Sequence, residues 1–316
     1  MLVKIVSEIC AEYGIKLEKY SFDWILQLKK DEKTARIFGY QFENNTATAC
    51  LICTDKSASS ELLQAANIPV VEHLFFTSPE NFKYIGAKGN WQKISQLLSQ
   101  HGRLVVKPNE GTGGEDVFRV STSAELEAAV TAVFSRHSSL AISPYYEIEK
   151  EYRVILLNGT ALLIYSKEIP MLTGDGLSSV WQLILGQHQL KVPFTALSIE
   201  EQEELMKIPQ AGERIPYGWK HNLGLGASPQ IVLNQDLAEN LSQLALQAAQ
   251  VVNVNFASVD IVLTRGEYRV LEINSGIMME HFAEISPDHY QTAKAIYQKA
   301  IFSDRKSIRL NSSHRT

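Results

Sequence analysis

Residues 256–274 constrain this chain most tightly. Two apolar runs, residues 256–263 and 268–273, flank a polar turn and predict a β-hairpin with Gly266 at its tip. Asp260 and Glu272 each stand six residues from Gly266, so a loop centred there sets them opposite one another across the ladder. Asn274 lies two residues beyond Glu272, on the same face by the period-2 alternation of a strand. Three oxygen donors therefore converge on one face of an otherwise apolar hairpin. Carboxylates at cross-strand distance repel one another, which calls for positive charge between them. Hard oxygen donors without His or Cys suit Mg²⁺ held jointly by protein and phosphates. On this segment alone, a solvated polar hairpin face is the other reading.

At 316 residues the chain is long enough for two or three domains with substantial cores. Apolar residues make up 45% and charged residues 21%, the mix of a globular protein of enzyme size. A formal net charge of −5 argues against a general polyanion binder, so no nucleic-acid partner is expected. No apolar run approaches the ~20 residues of a membrane span and no signal pattern opens the chain, which predicts a cytoplasmic protein without a membrane partner. Three cysteines give no disulfide framework. Cys50 and Cys53 form a CxxC inside the apolar run 47–53 and read as ordinary buried thiols rather than a redox or metal site.

Patterning divides the chain into units 1–75, 76–143, 144–303 and a disordered tail, 304–316. In the first, residues 2–13 are helical in period and stop at Gly14. Residues 33–42 and 46–54 are strand-like with Asn44-Asn45 as the turn, and residues 56–66 are again helical. In the second, a helix over 90–100 precedes a strand over 104–107, a Gly-rich loop over 108–114 and a strand over 116–120. Thr122 and Glu125 then form a capping box for a helix to about Arg136, followed by a short strand over 140–143. In the third, Asn158-Gly159 marks a hairpin between 151–157 and 160–166. Helices are expected over 179–185, after Ser198, over 236–252 behind the cap Asn234, and over 287–302.

Several further segments carry chemistry-bearing residues. Lys107 ends an apolar strand directly before Pro108, Asn109, Glu110, Gly111, Thr112, Gly113 and Gly114. Glycines let backbone amides approach and cradle phosphate oxygens, and a lysine at the strand mouth adds a point charge. This is not a Walker A loop, because no Lys-Ser/Thr pair follows the glycines; a flexible hairpin tip is the bland alternative. Pro144, Tyr145 and Tyr146 form a hinge that could wall a planar base, with Glu151 beyond it where a carboxylate could accept from ribose hydroxyls; taken alone, the segment reads more simply as a linker with a strand start. Lys220 and Asn222, in a Gly-rich loop, could stabilise charge on a transferred phosphoryl group or an oxyanion, unless the loop is merely surface. Arg153, Lys167, Arg214 and His281 are basic candidates for carboxylate recognition.

These pieces occur together and in order, and from residue 54 to 302 the chain resembles the ATP-grasp superfamily of carboxylate–amine ligases. The resemblance rests on Lys56 ahead of Asn67-Ile68-Pro69-Val70, on Val105-Val106-Lys107-Pro108 with its Gly-rich lid, on the hinge and Glu151, and on Asp260 followed by Glu272-x-Asn274. Within the family, residues 169–179 resemble a loop of cyanophycin synthetase, and Lys220–Leu223 is similar to the phosphate-contacting loop shared by cyanophycin synthetase and the ribosomal-protein glutamate ligases. Two departures fall near the acceptor side: Ser275-Gly276 replaces the usual Pro-Gly pair after Asn274, and the spacing from Pro170 to Gly174 is about one residue short.

The resemblance implies an α/β (α+β) ATP-grasp fold, with an N-terminal pre-ATP-grasp domain and two α+β subdomains enclosing the nucleotide. It implies ATP held by Lys56, Lys107, the lid from Glu110 to Gly114, Pro144–Tyr146 and Glu151, and Mg²⁺ (Mn²⁺ as an alternative) on Asp260, Glu272 and Asn274. Lys220, Asn222 and Arg153 take the catalytic roles. The expected reaction joins a small-molecule or peptide carboxylate to an amine through an acyl phosphate, and self-association is common in the family. Asp260→Ala and Glu272→Ala are expected to abolish turnover without unfolding the chain. A nucleotide sensor without ligase activity and phosphotransfer without amide formation are the alternatives.

Overall fold

The computed structural model describes residues 1–85, 91–111, 113–186, 198–216 and 218–303. Thr112 of the lid and the tail 304–316 therefore lie outside the described residues.

Helix α1 (Leu2–Glu12) buries Leu2, Ile5, Val6, Ile9 and Cys10 along one stripe, the spacing that its apolar period dictates. It covers a four-stranded antiparallel meander: β1 (Lys16–Tyr20), β2 (Ile25–Lys30), β3 (Lys33–Phe38) and β4 (Gln41–Phe42). Residues 33–42 are thus two strands, broken at Gly39, whose φ of +55° admits no extended pairing. β1 and β2 have no counterpart in the expectation, because their lysines and glutamate obscure the alternation.

Residues 46–54 depart further: they form helix α2 (Ala47–Thr54), not a strand. The Thr46 hydroxyl accepts from the Ala49 amide and caps the helix, and an apolar run this short carries no period that separates strand from helix. Asn44-Asn45 is not a hairpin turn either. Asn45 Oδ1 accepts from the amides of Asn255 and Phe256, and the Asn255 side chain donates to the Asn44 carbonyl, so the pair ties this crossover to the strand that carries Asp260. Helix α3 (Lys56–Ala65) follows, capped by Asp55.

The middle unit holds β5 (Leu74–Thr77), α4 (Phe82–Ile85), α5 (Trp91–His101), β6 (Leu104–Pro108), β7 (Phe118–Val120), α6 (Ser123–Phe134) and β8 (Ser139–Pro144), with strand order β5-β8-β6-β7. Helices α5 and α6 pack on Leu104, Val106, Phe118, Val120, Leu140 and Ile142. Alternation leaves Lys107, Arg119 and Ser143 on the opposite face.

The C-terminal unit comprises β9 (Lys150–Leu157), β10 (Thr160–Glu168), β11 (Met171–Thr173), α7 (Val180–Leu185), α8 (Ile199–Met206), β12 (Arg214–Pro216), β13 (Ser228–Ile231), α9 (Gln235–Val251), β14 (Phe256–Thr264), β15 (Glu267–Asn274), α10 (Glu280–Ala283) and α11 (Pro287–Ser303). Its five-stranded antiparallel sheet runs β13-β10-β9-β14-β15. One face, with Val154, Leu156, Ala257, Val259 and Ile261, packs under α9 and also takes Ala49, Cys53 and Leu63 from α2 and α3. The other face is divided. Its apolar part, Ile155, Leu157, Leu163, Tyr165 and Phe256, packs on the N-terminal sheet, α1 and α11.

Elements before residue 75 therefore cover both faces of the C-terminal sheet, and the change at 75 is a change of sheet rather than of core. Removal of residues 1–46 should leave a chain without a cooperative urea transition, since it bares that apolar half-face. Phe256→Ala, which also breaks the edge contact with Phe42 at 5.1 Å, should cost about 3–5 kcal/mol in the same measurement. A truncated chain that melts like the whole protein would refute the shared core.

Candidate active site

The polar part of the divided face begins at the β14–β15 hairpin. Its turn is Arg265-Gly266, with φ of +52° and +74°, the two positive values a two-residue hairpin loop requires. Such a loop, with Thr264 opposite Glu267, would on its own set Asp260 opposite Leu271. A one-residue bulge beyond the Ile261–Val270 pair absorbs Leu271 and brings Asp260 opposite Glu272 and Ser258 opposite Asn274. The expected pair thus forms, through a bulge and not through a loop centred on Gly266. Without that residue of slack, Glu272 and Asn274 would face α9.

Across the sheet Asp260 pairs with Arg153 on β9, and Arg153 with Tyr165 on β10. Arg153 grips Asp260 with both prongs, Nε to Oδ1 at 2.7 Å and Nη2 to Oδ2 at 2.6 Å. Lys167 Nζ lies 3.0 Å from the same Oδ2 and closes a tight ion pair with Glu151. The positive charge that facing carboxylates call for is supplied by these two side chains. Burial opposes ionisation of Asp260, but Arg153 and then Lys167 overcome it and hold the carboxyl well below its usual range. Asp260 is 1% exposed, so this is not a solvated hairpin face. Glu272 and Asn274 are half-buried and joined by a 3.2 Å hydrogen bond.

Opposite lies Lys107 on β6. It is buried, and among the described residues no hydrogen-bond or ion-pair partner is found for its ammonium. Burial pushes its pKa down to about 8, with Lys56 adding to the effect and Glu272 opposing it. Beside it, both ring nitrogens of buried His73 lack partners, and burial, Lys107 and Lys56 hold that ring neutral. Asn109 accepts from the amide and hydroxyl of Ser57, which leaves its Nδ2 unpaired. Lys56 Nζ donates to the Gly111 carbonyl at 2.7 Å, and an isolated bridge joins Asp55 to Glu110, fastening the lid's base to α3.

The lid tip turns through Gly113 and Gly114, with φ of +74° and +75°. Asn222 Nδ2 donates to the Gly113 carbonyl at 2.7 Å, so the lid rests on the loop before α9. Lys220 Nζ lies over the Trp219 ring, 5.5 Å from its centroid, and burial lowers its pKa. At the hinge, the Tyr145 ring is covered by Arg103 and Arg119, 4.9 and 5.5 Å from its centroid, and by the edge of Trp219. Tyr145 therefore carries the Trp219 loop, while Pro144 and Tyr146 stay half-buried at the end of β8. Arg214 is exposed on β12 and His281 faces Glu284, both apart from the row.

Arg153, expected to meet a substrate, is spent on Asp260. His73, Asn109 and the unpaired His221 Nε2 were not singled out from sequence, since a lone polar residue in an irregular segment has no periodic signature. Cys53 is buried with its thiol pushed up to about 12 by burial and Cys50, as expected of a structural cysteine. Among the described residues no helix is long and apolar enough to cross a membrane.

Two family models match this chain: the ATP-grasp domain of prokaryotic glutathione synthetase over residues 82–174, and the RimK-like ATP-grasp domain over residues 216–290. The chain belongs to the ATP-grasp superfamily. The first match spans Lys107, the lid, the hinge, Glu151, Arg153 and Lys167; the second spans Lys220, Asn222 and the carboxylate hairpin. Among curated relatives of this ATP-grasp chain, the glutathione biosynthesis bifunctional protein GshAB of Desulfotalea psychrophila is 21% identical over 79% of this chain and 36% of its own. Cyanophycin synthetase of Trichormus variabilis is 21% identical over 84% of this chain and 30% of its own. The chain spans about a third of the length of these relatives. The same fold is found in D-alanine–D-alanine ligase from Bacillus anthracis (TM-score 0.53, 18% identity, 81% of this chain and 70% of that one). It is found again in a bifunctional glutathione synthetase from Pasteurella multocida (TM-score 0.52, 16% identity, 94% and 43%).

Burial of Asp260 changes what its replacement does. Asp260→Ala strands Arg153 and Lys167 in the sheet and should cost about 3–5 kcal/mol in urea unfolding, contrary to the expectation that the chain stays intact. Glu272→Gln, half-buried and neutral in shape, should stay within about 0.5 kcal/mol of the parent and is the cleaner probe. For Lys107 the proton linkage has a definite sign. From about pH 8 up to the ~10.4 of a free lysine, the unfolded chain holds one proton more than the folded one, so stability rises with pH in that window. An anion bound at Lys107 should restore the proton. ATP binding near pH 9 should then take up roughly one proton, seen as a calorimetric enthalpy that depends on buffer ionisation and loses that dependence in Lys107→Met.

Proposed function

We propose that this protein is an ATP-dependent carboxylate–amine ligase that forms an amide bond between amino acids or peptides, with ADP and phosphate as the other products. The observation that carries the reading is the confrontation of an unpaired buried Lys107 with the row Glu272–Asp260–Arg153 under a Gly-rich lid. A lone buried ammonium is costly unless an anion completes it, and a triphosphate meets that need. Relatives named for glutathione biosynthesis, cyanophycin synthesis and D-alanine–D-alanine ligation support the same class of reaction.

Asp260, Glu272 and Asn274 form an all-oxygen donor set that fits Mg²⁺ only in part, as a shell to be completed by phosphates and water. Asp260 Oδ1 carries one hydrogen bond and keeps a lone pair, while Glu272 and Asn274 stand side by side at the rim. The ion, when bound, would neutralise charge on the terminal phosphates.

In the first step a substrate carboxylate oxygen attacks the γ-phosphorus and the bond to the β–γ bridging oxygen breaks, giving ADP and an acyl phosphate. Lys107 and Lys56 hold the phosphates, and the lid amides exclude the water that would hydrolyse the acyl phosphate. An amine then attacks the acyl carbon, phosphate leaves, and the amine gives up one proton. Asn222 and Lys220 flank the lid where charge develops on the tetrahedral oxygen. Arg153 and Lys167 act by fixing Asp260 and Glu151.

Residues 1–46 contribute to the acceptor side. The Gln41 side chain lies against Ser275 and Gly276, and the Tyr40 hydroxyl donates to Glu280 at 2.8 Å, so the β3–β4 turn walls the segment after Asn274. The test is phosphate release from Mg²⁺-ATP with amino acids offered singly and in pairs. Release that requires two amino acids, with a product lighter than their sum by one water, is the expected outcome. Hydroxylamine should trap the acyl phosphate when the acid is offered alone. A phosphorylated acceptor as the stable product would replace the ligase by a phosphotransferase, and Glu272→Gln should lower turnover at least ~100-fold.

A further inference from the structure

The N-terminal meander carries a row of exposed aromatic side chains that the reaction described above does not use. Register sets Tyr20 on β1 opposite Ile25 on β2, and Ile25 opposite Phe38 on β3. Phe38 in turn faces Gln41 on β4, so these four residues form one row across the sheet. Leu26, Leu28, Ala35 and Ile37 point the other way, into the core, which leaves the row on the outer face. The neighbouring outer row is a closed polar lattice: Gln27 Nε2 donates to Glu18 at 2.8 Å, and Arg36 Nε donates to Gln27 Oε1 at 2.9 Å. The aromatic row has no such closure. Tyr20, Trp24 and Phe38 are each about half exposed, and Trp24 meets Phe38 edge-on at 6.1 Å.

The turn between β1 and β2 holds one more ring in solvent, under strain. Ser21, Phe22 and Asp23 have φ of +51°, +56° and +68°, and the Trp24 amide closes the turn on the Ser21 carbonyl at 3.1 Å. Glycine or asparagine suits this left-handed conformation; a bulky side chain does not. Phe22 nevertheless occupies the centre of the turn, fully exposed, where it adds nothing to the core. A ring kept out of the core at a conformational cost points to a contact made with something else.

The row leads to the site. Trp24 lies over Gly39, where a Cβ would come within 2.9 Å of the indole, and the Gly39 amide donates to the Trp24 carbonyl. Gly39 opens the β3–β4 turn, whose Gln41 rests against Ser275 and Gly276, next to Asn274 of the carboxylate hairpin. From Gln41 to Tyr20 is three strand spacings, about 14 Å, the reach of four or five extended residues. A free amino acid beside Asn274 does not reach the rings, whereas a peptide does. The free edge of the meander, β1, carries Lys16 and Lys19, charges of the kind that discourage strand pairing with a second copy.

We propose that the substrate held beside Ser275 and Gly276 is a peptide, with apolar side chains a few residues from its reacting end seated on Tyr20, Phe22, Trp24 and Phe38. The inference rests on the ligase reading above and names the substrate class of its acceptor side.

The test offers each amino acid that supports phosphate release from Mg²⁺-ATP in three forms: free, extended by alanines at either end, and so extended with phenylalanine fourth from the reacting end. Alanine hexapeptides with and without that phenylalanine are also titrated calorimetrically into the full chain without ATP. The variant is Phe22→Gly with Phe38→Ser, which relieves the strained turn, and its urea midpoint should stay close to the parent's. In the parent, the phenylalanine peptide should have a KM about tenfold below that of the free amino acid, with kcat changed little. In the variant that advantage should vanish, while the KM of the free amino acid stays within about twofold of the parent's. A KM that peptide length and phenylalanine do not change, or an advantage that survives in the variant, overturns the peptide assignment while the ligase reading stands. So does a parent oligomer that disperses in the variant during sedimentation with no change in the peptide KM. Calorimetric binding that is lost in the variant, without phosphate release from any mixture, overturns the ligase reading and upholds the rings as a peptide site.

Discussion

The forked pair between Arg153 and Asp260 is the contact on which the rest of the site depends. Two charges buried in the middle of a sheet are tolerable only because the geometry is bidentate and Lys167 satisfies the remaining demand of Oδ2. The pair joins β9 to β14 at the boundary where the sheet face changes from apolar to polar. Glu151, Asp260, Glu272 and Asn274 all lie on the polar side of that boundary. Lys167, the second of the cations that neutralise Asp260, also pairs with Glu151, and its backbone carbonyl holds the His221 ring. Arg153, Asp260, Lys167 and Glu151 form a single electrostatic unit, and removal of Asp260 leaves both cations without that partner.

Against this saturated floor the roof is electrostatically incomplete. Burial, with Lys107 and Lys56 adding to it, lowers the pKa of His73, and burial with Lys56 lowers that of Lys107. Cationic groups facing carboxylates suit a polyanion bridged by a cation. The lid makes the same point. Its base is fastened to α3 and its tip rests on Asn222, so the loop is held by a few polar contacts that a ligand's phosphates can replace.

The N-terminal elements do more than precede the catalytic units. They close both faces of the C-terminal sheet, through the meander on one side and α2 with α3 on the other. The consequence is mechanical. The β3–β4 turn is carried to the segment after Asn274, where Gly276 leaves room for Gln41; a Cβ there would come within 3.0 Å of its side-chain nitrogen. The departure from the family's Pro-Gly pair at Ser275-Gly276 thus coincides with a close approach by a part of the chain that bears no family motif.

Much of the site was legible in the sequence because strand alternation and a tight turn are local rules. The facing of Asp260 and Glu272, the companion position of Asn274, the capping box at Thr122 and the strand ending at Lys107 all follow from such rules. The helical nature of residues 47–54 was not legible, since an apolar run of eight residues is too short to carry a period that separates helix from strand. Nor was the bulge at Leu271, which corrects the register only because pairing across three strands demands it. Whether a charged side chain serves a ligand or another residue is likewise a long-range matter. Sequence alone marked Lys107, Asp260, Glu272 and Asn274 as candidates for phosphate and metal; tertiary packing decided that Arg153 is consumed by Asp260 while Lys107 finds no such partner among the described residues, because burial and cross-strand pairing are set by segments far apart in the chain.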